Sequence, residues 1–142
     1  MKRLAMLFVA CFFLGACGGG GGGSSSTPAP PPSVDGTGIW TGTVTSSVSG
    51  TVTGTLNVTQ TGASVTGNYI TSNGAFGNVS GTVSGNTISF TITPSQAGCT
   101  GTLSGTGVVT TPSSGQPTMS FNYIGSTTCG GLETGTGNLT ML

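Results

Sequence analysis

From Gly38 to Met141 the chain alternates residue by residue between apolar or small side chains and hydroxyl-bearing ones, and no apolar spacing of three or four is sustained. A period of two places successive side chains on opposite faces of an extended strand, whereas a helix needs a period of 3.6. The stretch is therefore committed to β structure. Gly, Asn, Ser and Pro interrupt the alternation and divide it into eight candidate strands, 38–45, 50–60, 63–70, 76–84, 87–93, 99–110, 118–124 and 132–141.

Pairing residues across the intervening turns tests this division. A turn at Thr61-Gly62 sets Val58 opposite Val65, Leu56 opposite Gly67 and Gly54 opposite Tyr69. A turn at Gly85-Asn86 sets Val83 opposite Ile88 and Gly81 opposite Phe90. Around Ser72-Asn73-Gly74, Tyr69 meets Gly77; around Ser114, Val109 meets Met119 and Gly107 meets Phe121. One face of every hairpin gathers the apolar side chains, and aromatic rings recur opposite glycines. A ring fills the gap a glycine leaves, and the glycine permits the bend that a closed sheet requires. Consecutive hairpins of this kind predict an all-β fold, an eight-stranded antiparallel up-and-down meander closing into a small barrel, with a β-sandwich as the alternative. Closure also removes edges that a chain this poor in charge has few side chains to protect.

Gly38-Ile39-Trp40 resembles the Gly-x-Trp opening of lipocalin and avidin-like barrels, and the stretch from Leu56 to Tyr69 is similar to their following hairpin. The resemblance implies a small barrel. It does not extend to a biotin site, because avidins use several Trp and Trp40 stands alone here, nor to the basic residue that lipocalins stack on that Trp.

Charge restricts function sharply. Charged residues make up 3% of the chain, against about 25% in ordinary domains. Both cations, Lys2 and Arg3, precede an apolar run from Leu4 to Leu14, which leaves Asp35 and Glu133 as the charged side chains beyond it. Nucleic-acid partners need Lys and Arg to neutralise phosphates and are excluded. The apolar run is shorter than the ~20 residues that span a bilayer and suits a signal-peptide core. It ends in Leu14-Gly15-Ala16-Cys17, which resembles the lipobox of bacterial lipoproteins. That resemblance implies residues 1–16 as a signal peptide, lipidation and acylation at Cys17, and a membrane partner through the lipid. The location implied is the bacterial cell envelope, with the outer membrane favoured because residue 18 is Gly. A Gly/Ser/Pro-rich linker is expected over residues 17–33 and the barrel domain over residues 34–142.

Cys99 and Cys129 flank Ser114 symmetrically, which predicts that they face each other as a disulfide in an oxidising compartment. Catalysis finds few materials. No His is present and no Lys follows Lys2, so a Ser or Thr nucleophile has no evident base. Asp35 and Glu133 are the one candidate carboxylate pair, the alternative being two solvated surface acids. No enzyme, cofactor or metal is expected.

The remaining candidate site is the inner face. Trp40, Tyr69, Phe90, Phe121 and Tyr123 project inward, with Gln60 near one mouth. If the barrel is hollow, these residues line a cavity for an apolar or amphipathic small ligand. If it is filled, they are core, and the chain is a structural or protein-interaction lipoprotein with an envelope-protein partner. The outward Thr-x-Thr rows, such as Thr41, Thr43, Thr51, Thr53 and Thr55, are similar to ice-binding surfaces and also suit any solvated strand or a glycan contact.

Overall fold

The computed structural model describes residues 27–142; the segment expected to be a signal peptide (residues 1–16), Cys17 and the Gly/Ser run lie outside them. Eight strands follow in chain order: β1 (Gly38–Ser46), β2 (Gly50–Thr61), β3 (Ser64–Thr71), β4 (Phe76–Ser84), β5 (Thr87–Pro94), β6 (Gly101–Thr110), β7 (Thr118–Thr127) and β8 (Gly131–Met141). Each pairs antiparallel with the next, and β1 pairs with β8 from Trp40↔Met141 to Ser46↔Gly135. The sheet is a closed barrel, and the sandwich alternative falls away.

The alternation sets the faces. On β1 the even positions Trp40, Val44 and Ser46 point inward, while Thr41, Thr43 and Thr45 point outward against Thr55, Thr53 and Thr51 of β2. The wall is apolar inside and largely hydroxyl-bearing outside. That is the reverse of a barrel whose outer face meets lipid.

Three hairpin registers match the expected pairings. Val83 faces Ile88, Tyr69 faces Gly77, and Gly107 faces Phe121. The β2–β3 register differs. Val58 faces Gly67 and Leu56 faces Tyr69, so the tight turn is Gly62-Ala63 and not Thr61-Gly62. Gly62 has φ +59° at the first central position, as Gly85 does in the β4–β5 turn. A two-residue hairpin turn of the primed types takes a positive φ at that position, where glycine is free of the steric cost of a Cβ. Strand β6 starts at Gly101, because Cys99 and Thr100 belong to the loop before it, and β7 continues to Thr127.

The two poles of the barrel differ. At one pole lie the turns Gly62-Ala63 and Gly85-Asn86, the loop from Thr111 to Pro117, and the chain leading into β1. Pro30 to Ser33, expected to serve as spacer, is seated on the barrel. The Ser33 amide donates to the Gly85 carbonyl (2.8 Å) and the Gly85 amide donates to the Pro31 carbonyl (3.1 Å). A turn tip has free backbone groups, and an extended proline-rich segment has carbonyls to offer them. Beneath this cover lies the packed core, with Trp40, Val109, Val65, Val83, Ile88 and Leu139 all buried. The other pole is formed by the loops 47–49, 72–75, 95–100 and 128–130. Cys99 and Cys129 form a disulfide there, with a Cα–Cα distance of 5.0 Å, joining the β5–β6 loop to the β7–β8 loop. The Thr100 amide donates to Thr128 Oγ1 beside it (2.9 Å).

Candidate functional site

Inward side chains of a filled barrel would be shut off from solvent. Here Val44, Leu56, Tyr69, Val79, Phe90, Ile92 and Phe121 point inward and still keep partial solvent access. The reason is a cavity of about 310 Å³ in the lumen. Its floor is Val58, Val65, Ile88, Met119 and Leu139, and its upper wall reaches Val48, Ala75, Gln96 and Cys129 in the loops of the second pole. The barrel is therefore a cup, sealed where residues 30–37, the leader into β1, cross it and open at the disulfide.

Glycines create much of this space. Tyr123 lies over Gly135 and Phe121 over Gly137, both on β8, and Phe90 lies over Gly105 on β6. Laid flat against the wall, the rings leave the axis free. Phe90 and Phe121 meet edge to face at 5.8 Å between centroids, and Phe121 and Tyr123 stack at 6.4 Å. Such pairs contribute about 0.5–1.5 kcal/mol beyond area burial.

Four of the six residues expected to line a cavity do so, namely Tyr69, Phe90, Phe121 and Tyr123. Trp40 and Gln60 do not; both belong to the seal. Trp40 is fully buried beneath the floor, and its Nε1–H donates to the Gly36 carbonyl (2.9 Å). Gln60 Oε1 accepts from the Gly36 amide (2.8 Å), while its Nε2 donates to the carbonyls of Val34 and Gly62, both at 3.1 Å. A long amide side chain with two donors and one acceptor thus ties the leader across the end of the barrel.

The two acids expected as a candidate pair occupy opposite poles. Asp35 is in the leader, where the Thr37 amide donates to its Oδ1 (2.9 Å), and this bond holds its pKa below the ordinary value. Glu133 is on β8 at the open pole. The run from Glu133 to Met141 covers roughly 25 Å of extended strand, and Met141 packs beside Gly38, next to the leader. The two carboxylates cannot act on one bond.

Glu133 is also no plain surface acid. It shares the inward parity of Gly135, Gly137 and Leu139, and its Oε1 accepts from Ser46 Oγ (2.6 Å) and from the Tyr123 hydroxyl (2.9 Å). Ser46 Oγ in turn accepts from the amides of Val48 (3.0 Å) and Ser49 (3.2 Å), so its single hydrogen is aimed at Glu133. Burial first, and then the bond to Glu133, push the Tyr123 phenol up to about 12. Tyr69 is raised as well, chiefly by burial and secondarily by the Glu133 charge. Sequence reasoning named Glu133 only as one of two acids, without its place at this mouth, and missed Ser46 altogether. Among the described residues no three Cys, Asp or Glu side chains gather as metal ligands.

No protein-family model, no curated protein and no solved structure matches this chain.

Proposed function

We propose that the protein is a bacterial envelope lipoprotein, held by a lipid on Cys17, whose barrel binds an apolar or amphipathic small molecule without transforming it. The observation that carries the binding role is the lumen, a cavity of about 310 Å³ with a largely aliphatic and aromatic wall and one open end. Ligand pockets span about 300–1,000 Å³, and a dry apolar cavity of about 150 Å³ already takes benzene. The anchor rests on the order of charge, apolar run, small residues and Cys in residues 1–17. Two or three acyl chains give a stable hold where one is marginal. Because the leader enters at the sealed pole, such an anchor leaves the mouth on the side away from the attachment point.

The described residues complete all of their own strand pairing, and none of their buried polar side-chain atoms lacks a partner. The chain from Gly18 onward is therefore suitable material for solution work, with its near-ultraviolet circular dichroism as the check on folding. Titration with octanol, followed by methyl NMR shifts of Ile88, Ile92, Leu103 and Met119, is expected to move these lumen signals together and leave Ile39 and Ile124 unmoved. Uniform or absent shifts would remove the binding role. For the anchor, the envelope-extracted protein is expected to carry acyl mass on a fragment beginning at Cys17, and Cys17→Ala to lose it.

One observation favours a second reading, a module that docks on an envelope protein. Phe76, Ile124 and Leu132 are exposed on the outer wall near the open pole. Crosslinking from these positions in intact cells to one protein species, with an unresponsive lumen, would favour docking over ligand binding.

A further inference from the structure

Down the inner face of β8 the wall changes character in order. Glu133 stands at the rim, the Tyr123 ring covers Gly135, the Phe121 ring covers Gly137, and Leu139 forms part of the floor. A carboxylate, a phenol, a phenyl ring and an isobutyl group succeed one another from mouth to floor. Beyond Arg3 the chain has no cation to offset Glu133, and its one other acid, Asp35, sits at the far pole. Ser46 and Tyr123 both bond Oε1; among the described residues no hydrogen bond reaches Oε2. A negative charge is thus fixed at a partly desolvated rim beside aromatic rings, where a charge interacts more strongly than it does in open water.

We propose that the ligand is an amphiphile with an organic cationic head, an amine or quaternary ammonium, held at Glu133 and the Tyr123 and Phe121 rings, with its apolar tail in the lumen. The proposal rests on the lumen being a ligand site. Aromatic faces carry negative charge density and attract ammonium groups, most strongly where water is displaced. A carboxylate adds to that attraction, whereas an anionic head would be repelled. A neutral hydroxyl head would gain from any acceptor and would not require a charge. A lone carboxylate supplies too few oxygens for a hard metal cation, which takes six or more ligands, while an alkylammonium needs no such shell.

The test compares three probes with the same tail, octyltrimethylammonium, octanol and octanoate, by calorimetric titration into the chain from Gly18 onward at neutral pH and low salt. Octyltrimethylammonium is expected to bind about tenfold tighter than octanol, with octanoate weakest, and the advantage to shrink as salt is added. Glu133→Gln is expected to lower the ratio of octyltrimethylammonium to octanol affinity several-fold, leaving only the smaller preference that the rings supply. Asp35→Asn, which removes the same charge from the sealed pole, keeps the tenfold ratio. Octanol binding with no preference for the cation in the unmodified chain overturns the proposal and leaves the lumen as a ligand site, as does an undiminished preference in Glu133→Gln. Binding of none of the three probes overturns both. Should Glu133→Gln fail to fold, the ranking of the three heads and its salt dependence in the unmodified chain decide the matter alone.

Discussion

The Tyr123 hydroxyl donates to Glu133 Oε1 across 2.9 Å, joining β7 to β8 just inside the open end of the barrel. This bond favours the protonated phenol, and burial favours it more, so the group ionises near pH 12 instead of its ordinary 10. In Tyr69→Phe, which isolates Tyr123, phenolate absorbance is expected to rise only near pH 12. Adding Glu133→Gln should lower that midpoint while leaving it above 10, since burial persists. The linkage has a definite sign. The unfolded chain releases this proton from about pH 10 and the folded chain holds it to about 12, so stability is fully present below pH 10 and declines between the two values. Urea midpoints measured across that interval check the direction.

The Cys99–Cys129 bridge closes a loop of 30 residues at the mouth. Chain-entropy reasoning assigns such a loop about 3–4 kcal/mol. The Cys99→Ser, Cys129→Ser double variant should lose stability on that scale in urea unfolding. Peptide mapping without reductant should recover the two cysteines joined.

Trp40 fills the space under the leader and bonds it through Nε1. Trp40→Ala removes the whole ring, and a core truncation of that kind costs about 3–5 kcal/mol. Trp40→Phe keeps an aromatic ring and loses mainly the bond to Gly36, so it should cost about 1–2 kcal/mol. Thermal unfolding followed by circular dichroism, which does not depend on the lost indole, ranks the two.

The Gln60 side chain makes three hydrogen bonds, to Val34, Gly36 and Gly62. Gln60→Ala is expected to release the leader locally. Amide exchange at Gly36 should quicken by at least tenfold, while the amides of β5 to β8 exchange as before. A global loss of protection would instead make Gln60 part of the barrel's cooperative core.

Alternation decided most of the fold. A period of two names the inner face of every strand, and with Ser72-Asn73-Gly74, Gly85-Asn86 and the symmetric neighbourhood of Ser114 it also fixes three registers. It could not fix β2 against β3. Sliding Val58 from Val65 to Gly67 is an even shift that leaves every side chain on its own face, so only the turn geometry at Gly62 distinguishes the two pairings. The parity of Glu133, shared with Gly135 and Leu139, was visible in the sequence. Leu132 obscured it by placing a large apolar side chain outward, 73% exposed, where the pattern expects a polar one. Trp40 and Gln60 show the other limit. Alternation tells inside from outside and carries no information about height along the barrel axis, which depends on the pole to which each hairpin points.

The rings laid over glycines carry a consequence for descent. A methyl at Gly137 would overlap Phe121, and a methyl at Gly135 would overlap Tyr123. Loss of either ring would instead leave a bare glycine facing an enlarged void. A change at either partner leaves a packing defect until the other changes, so ring and glycine are expected to vary together. Kinship with this chain would then show itself as paired changes across β7 and β8, legible even where the Thr-rich outer rows have drifted beyond comparison.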